Sequence, residues 1–474
     1  MIIRSLVFAF VLTMLPMAAF AQPQRFLPLD ATAAILVEQT TGRILYAHNV
    51  HERRYPASMS KILTALVVMD YLEPDDVVVV GPEIRSMPAG YATNIHVEGE
   101  TITVRTLLKA LMVRSGNETG RVLALEVVRR QTERADITYN EAKPLFSTMM
   151  NDKARSLGAV NTTFSNPYGL HSTQHFTTAY DMALISRAYM DNPMLAEIAG
   201  LRTFEGDSLG GVAFPNANVR EYSWTNSNRL LPGADMSHPF ATGIKTGFTT
   251  PAGHCFAGSA YHNGVGLVTV VFYSEDPGRW QDTRMLLDYG FFNFAFHDIV
   301  YEQQIVDTVY IGNPRLGDEA TIDALSAQSN RTILSHDEYA AMTRVVTYDP
   351  LLLIDPDEIE DESRRELPHL RAPIDANQEI GTAKYMVGHE IIFQTPVLAA
   401  RYVYERTFDS DMDYYISLFF GNIFSRRALP YWFGFAGIAF GLFCLHIAFA
   451  TSRRVKKFER WQQPPRRVSK YERR

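Results

Sequence analysis

The chain has 474 residues, a formal net charge of −7, 46% hydrophobic and 12% aromatic content, and two cysteines. That length allows two or three domains with a sizeable core. Cys255 and Cys444 are too few for a disulfide framework, so the fold must rest on its apolar packing.

Read from the N-terminus, the short basic start Met1-Ile-Ile-Arg4 leads into an apolar run to Leu15 and then Ala19-Phe20-Ala21. This is the pattern of a secretory signal cut after Ala21. Ala33–Glu38 and Arg43–Ala47 flank Gln39-Thr-Thr-Gly42 and predict a hairpin. After Ser58, the residues Ile62, Ala65, Leu66 and Met69 recur at helical spacing. Further helices are expected over 104–112, roughly 141–157 and 178–190. Strands return near 242–245, 255–260 and 265–272, and a last helix covers about 281–294. Strands at both ends with helices between them predict an α/β sandwich whose terminal strands share one sheet.

Past Ile299 strand-like runs such as 304–311 and 391–398 dominate, predicting a smaller β-rich domain over 299–425. Its acidic stretch Asp355–Glu362 reads as a solvated loop, with no matching calcium-loop motif. Met412–Phe424 reads as an amphipathic helix suited to a membrane surface. Leu429–Ala450 then runs 22 residues without Asp, Glu, Lys or Arg. At ~1.5 Å per residue it is long enough to span a bilayer core. Tyr431 and Trp432 suit one interface, and the positive-inside rule puts the basic tail, 451–474, in the cytoplasm. That tail contributes +8 and Arg4 +1, leaving −16 for residues 22–451. The exported part is therefore acidic and a poor partner for nucleic acid, while the tail suits anionic lipid. Gly437 and Gly441 form a small-x-x-x-small pair within the span, a pattern that also occurs without any dimer.

Three short motifs carry the chemistry. Ser58-Met-Ser-Lys61 opens a helix, Ser115-Gly-Asn117 sits in a loop after a helix, and Lys245-Thr-Gly247 ends a strand. Each alone has a bland reading, such as a capped surface helix or a turn. Together, in this order and on these elements, they form the S-x-x-K, S-x-N, K-T-G set of penicillin-recognising serine enzymes. A serine needs a base to become a nucleophile. A lysine can serve only where burial or a second cation disfavours its charge. Lys61 is then the neutral base, Lys245 the second cation and Ser115 a proton relay. Asn117 can hold Lys61 and a substrate amide. Gly247 allows close approach at the strand edge, where an extended substrate could pair. The backbone amides of Ser58 and Phe248 would face an oxyanion.

The chain resembles the D-alanyl-D-alanine carboxypeptidases, the low-molecular-weight penicillin-binding proteins. The likeness extends to Tyr55-Pro-Ala-Ser58, Ser165–Leu170, Thr177–Ala183, Gly243–Thr249 with Ala252-Gly253, and Leu370–Gly381, and covers roughly residues 27–425. It implies a β-lactamase-like α/β catalytic domain over 22–298, an acyl-serine mechanism without metal or cofactor, a peptidoglycan stem-peptide substrate and reaction with β-lactams. It also implies an extracytoplasmic (periplasmic) catalytic domain anchored by the C-terminal helix. Phe248 and Tyr168 stand where some members carry histidine. By pattern Arg279 aligns with an arginine that binds the terminal carboxylate. Arg229 is a second candidate, and Thr246 is preferred to Thr249 as a carboxylate contact. His171 and His175 lack an acid or cysteine to complete a metal set, and Cys255 reads as a small core residue. The rivals are a β-lactamase, for which the E-x-x-L-N segment is missing, a D,D-endopeptidase, and a non-catalytic peptidoglycan-binding scaffold.

Overall fold

The computed structural model describes residues 27–461 except 89, 90, 92, 360 and 424, so the expected signal segment and residues 462–474 of the tail lie outside the described residues. The first compact unit runs to Ile299 and also takes in Arg331–Ala341. It begins with β1 (Ala33–Glu38) and β2 (Ile44–His48), the predicted hairpin, followed by a 3₁₀ turn at Ala57–Met59 and α1 (Ser60–Tyr71). Next come β3 (Val77–Val79), β4 (Thr101–Thr103), α2 (Val104–Val113), α3 (Asn117–Thr132), α4 (Tyr139–Ser156), α5 (Ala179–Met190) and α6 (Pro193–Gly200). A hairpin of β5 (Thr203–Asp207) and β6 (Glu221–Thr225) precedes β7 (Ala241–Thr249), β8 (Gly253–His262), β9 (Val265–Ser274), α7 (Gly278–Asn293) and β10 (Phe294–Val300).

The main sheet has five strands in the order β2-β1-β9-β8-β7, all antiparallel. β1 and β9, from opposite ends of the catalytic sequence, thus meet as neighbours, with Ala33 opposite Phe272 and Glu38 opposite Leu267. Every residue of β1 is buried, and its first five, Ala33–Val37, read as an unbroken apolar run. Alternate side chains enter different cores. Ile35, Val37, Val270 and Phe272 pack with α1–α5, whereas Ala34, Leu36, Leu267 and Val271 pack with Trp280, Leu286 and Leu287 of α7. This is the period-two geometry of a strand covered on both faces. α1 is buried from Ser60 to Val68, as expected of a helix that is apolar around most of its circumference.

The chain continues through β11 (Ile305–Ile311) and β12 (Thr321–Ser326). β13 (Asn330–Ser335), which pairs with β10, and α8 (His336–Ala341) return to the first unit. The second unit resumes with β14 (Met342–Tyr348), β15 (His369–Leu370), β16 (Glu379–Val387) and β17 (Glu390–Ala399), giving a six-stranded sheet in the order β14-β16-β17-β12-β11-β15. This is the predicted β-rich region. The C-terminus adds α9 (Phe408–Ile423) and α10 (Leu429–Trp461). The stretch Leu429–Arg453 of α10 is long and apolar enough to cross a membrane, with mean hydropathy 2.0. The helix does not stop at Ala450 but carries the first basic residues of the tail with it.

Candidate active site

The chain reaches the site through an unusual backbone. Ala57 has φ +48°, a left-handed conformation that a residue with a Cβ rarely adopts. Gly169, at φ +88°, lies against it so closely that a Cβ there would stand 1.8 Å from the Ala57 carbonyl oxygen. A Cβ at Gly247 would stand 2.8 Å from the Pro56 carbonyl oxygen. The glycine of the third motif is therefore needed for β7 to approach the Ser58 segment itself, and not only a ligand as the sequence suggested.

A buried hydrogen-bond chain supports the same turn. The Ser165 amide donates to Nδ1 of His175 at 3.1 Å, and Nε2 lies 2.7 Å from the Ser60 hydroxyl, which donates to the Ala57 carbonyl at 2.8 Å. With Nδ1 accepting, the ring proton belongs on Nε2. Burial, with His171 and Lys61 nearby, pushes His175 down to about 3, so it is neutral. Sequence reading gave His175 a turn or core role but did not foresee this link to the residue preceding Ser58.

Lys61 is fully buried, one helical turn from half-buried Ser58. Its Nζ donates to Ser58 Oγ at 3.0 Å, to Asn117 Oδ1 at 2.7 Å and to the Tyr168 carbonyl at 2.7 Å. Burial first and the charge of Lys245 second push its pKa well below the ordinary lysine value, while Glu118 opposes them. Lys245, on β7 at the sheet edge, is also buried. Burial and Arg279 bring it down to about 7. Its hydrogen bonds, to the Thr246 carbonyl and hydroxyl, are long at 3.3 and 3.4 Å.

The three motifs converge unequally. Ser58, Lys61 and Asn117 are directly bonded. Ser115 has φ +59° and is half-buried, and among the described residues no hydrogen bond joins it to Lys61 or Lys245. Thr246 pairs with the Ser227 hydroxyl at 2.9 Å, a partner the sequence did not reveal. Thr249 instead accepts from the Ala252 amide at 3.3 Å within its own turn. Phe248 is 55% exposed and stacks on His254 at 4.5 Å. Arg279 stands over the Trp280 ring at 4.5 Å with Asp276 at 3.9 Å, and its buried Nε has no hydrogen-bond partner among the described residues. Arg229, by contrast, is already committed to Asp235 at 2.9 and 3.0 Å. The geometry separates the two arginines that sequence could only rank. Cys255 is buried beneath this edge, where desolvation pushes its thiol up to about 12.

An antiparallel sheet covered on both faces, a serine and lysine at the head of a buried helix, and a second lysine on the edge strand define a penicillin-recognising serine hydrolase. The comparisons narrow the class: residues 18–276 match the D-alanyl-D-alanine carboxypeptidase family and residues 317–405 match the C-terminal domain of penicillin-binding protein 5. The chain belongs to the D-alanyl-D-alanine carboxypeptidase family, whose members are serine-type enzymes. It is 28% identical over 378 residues to the Bacillus subtilis D-alanyl-D-alanine carboxypeptidase DacF, covering 78% of this chain and 85% of that one. Over 282 residues it is 30% identical to DacB2 of Mycobacterium tuberculosis, covering 58% of this chain and 87% of that one. The crystal structure of DacD from Francisella tularensis superposes with a TM-score of 0.60 at 23% identity, over 80% of this chain and 95% of that chain, and at that identity it speaks for the fold.

Proposed function

We propose that the enzyme removes the terminal D-alanine from peptidoglycan stem pentapeptides through an acyl-serine intermediate at Ser58, and that β-lactams acylate the same residue. Lys61 takes the Ser58 proton as Oγ attacks the carbonyl carbon between the last two D-alanines. The amide C–N bond then breaks, and the departing D-alanine amine receives a proton. Water attacks the ester in turn, releasing the shortened peptide and restoring the serine hydroxyl. The observation that carries this reading is the 3.0 Å contact between Ser58 Oγ and a lysine whose burial disfavours its charge.

Asn117 and Lys245 position the substrate, with Gly247 and Phe248 along the strand edge. The Ser58 and Phe248 amides supply the oxyanion donors. Thr246 and Arg279, whose Nε has no hydrogen-bond partner among the described residues, receive the terminal carboxylate. An anion there would restore the proton affinity that burial and Arg279 take from Lys245. Ser115 acts as proton relay only if substrate draws it toward the lysines. Residues 1–21 are the export signal, 22–298 the catalytic domain and 299–425 the β-rich domain. The helix from Leu429 anchors an extracytoplasmic enzyme, with its basic tail in the cytoplasm.

Incubation of the purified protein with fluorescent penicillin tests this. Label that depends on Ser58 and persists supports the acyl-enzyme. Label on Ser58→Ala, or hydrolysed penicillin released within seconds, refutes the assignment.

A further inference from the structure

Glu118 follows Asn117 in the first turn of α3 and is 2% exposed. Burying a carboxylate is unfavourable unless its oxygens find donors. Here Oε2 accepts from the Thr93 amide at 3.0 Å and from the Thr93 hydroxyl, and Oε1 accepts from the Ile95 amide at 2.8 Å. Burial alone would raise its pKa, but these bonds outweigh burial and hold the carboxyl below its ordinary value, so it is ionised.

The same bonds fasten Thr93 and Ile95 against α3. The Thr93 hydroxyl accepts from the Asn117 backbone amide at 3.2 Å, and the Tyr91 carbonyl accepts from Asn117 Nδ2 at 2.8 Å. A primary amide has donors at one end and an acceptor at the other. With the donor end taken by Tyr91, the Oδ1 end must face Lys61, where it lies at 2.7 Å. Three ionisable groups face Lys61 from the surrounding elements: Lys245 from β7, neutral His175 from the loop before α5, and Glu118 from α3. Glu118 alone among these supplies negative charge.

We propose that Glu118 is a positioning residue for acylation of Ser58: it locks Thr93 and Ile95 onto α3, turns the acceptor end of Asn117 toward Lys61, and places a buried carboxylate beside the residue that holds Lys61. The inference rests on the reading of Ser58 as nucleophile and Lys61 as base. An efficient base needs proton affinity near the working pH, neither lost to burial nor left at the value in water. Burial and Lys245 push Lys61 downward, and Glu118 limits that fall.

The test is the rate constant for acylation of the full-length protein by fluorescent penicillin, measured across pH for the wild type, Ser58→Ala, Glu118→Gln, Glu118→Asp and Thr93→Val, with a melting curve for each. The wild-type rate should fall on the acid side as Lys61 takes up a proton. Glu118→Gln removes the charge that favours this proton, so the acid limb should move about one unit to lower pH, with a maximum rate reduced ~10-fold. Glu118→Asp keeps the charge and should leave the limb in place at a reduced rate. A purely structural acid would lower rates and melting temperatures without moving the limb, so an unmoved limb in a folded Glu118→Gln protein overturns the inference. If that variant does not fold, Thr93→Val decides: a several-fold lower rate with the limb unmoved supports the anchoring role, and a wild-type rate overturns it. Label retained on Ser58→Ala would instead bring down the underlying reading, and this inference with it.

Discussion

Lys61 and Lys245 are 0% and 1% exposed, whereas Phe433 and Phe440 of α10 are 74% and 69% exposed. Charged side chains are buried in the first unit and large apolar ones are bare in the second, each against the ordinary preference. Buried Lys61 is tolerated because three hydrogen bonds satisfy its amine, and its disfavoured charge suits the proposed role of base. The bare phenylalanines fit a helix whose solvent is lipid. Comparing the two regions shows that a departure from the burial rule is informative only together with its surroundings.

The largest test of this contrast is Lys61→Met, which keeps length and apolar bulk but removes the base. Acylation by penicillin should fall ~10²–10⁴-fold, and a loss under tenfold would show that the buried amine is not the proton acceptor. On the other side, Phe440→Lys places a charge in the middle of the span and should disfavour insertion by about 2.5–3.5 kcal/mol. Membrane fractionation reads this as protein moving to the soluble or aggregated fraction, and unchanged partition would argue that α10 does not span.

A subtler test uses His175, whose folded value near 3 lies below its unfolded value of 6.5. Between those values the unfolded chain binds more protons, so stability rises with pH and is lost on acidification, by at most about 1.4 kcal/mol per unit. His175→Gln should flatten this dependence in urea midpoints, and an unchanged slope would mean that other groups govern acid unfolding. The smallest effect is expected for Lys245→Met. Replacing a buried cation that has only long bonds with an apolar chain should raise stability by about 1 kcal/mol while weakening substrate binding. A lower melting temperature would show that the ammonium is better satisfied than its 3.3 and 3.4 Å contacts imply.

Much of the architecture was legible because its periodicity is local. The β1–β2 hairpin, α1, α2, α4, α5, strands β7–β9 and α7 fall near their expected places, since turn residues and apolar spacing mark them. α3 went unread: after Gly120 its apolar residues Val122, Leu123, Ala124, Leu125, Val127 and Val128 are nearly continuous and do not show a helical period. The return of Arg331–Ala341 to the first unit also had no local signal. It depends on β10–β13 pairing and on Arg43 bonding to Ile333 and Glu338, partners about 290 residues away.

By itself the sequence determined the chemical inventory: a serine with a lysine one turn away, a second lysine before a glycine, and an apolar span ending in basic residues. These are fixed by short-range spacing, which a helix or strand converts into shared faces. Only the tertiary structure decided which groups meet. It committed Arg229 to Asp235, left Ser115 unbonded to either lysine among the described residues, and brought Tyr168 and His175 to the segment that carries Ser58 and Lys61. Those outcomes depend on the field and packing at a buried point, which are summed over residues far apart in the chain.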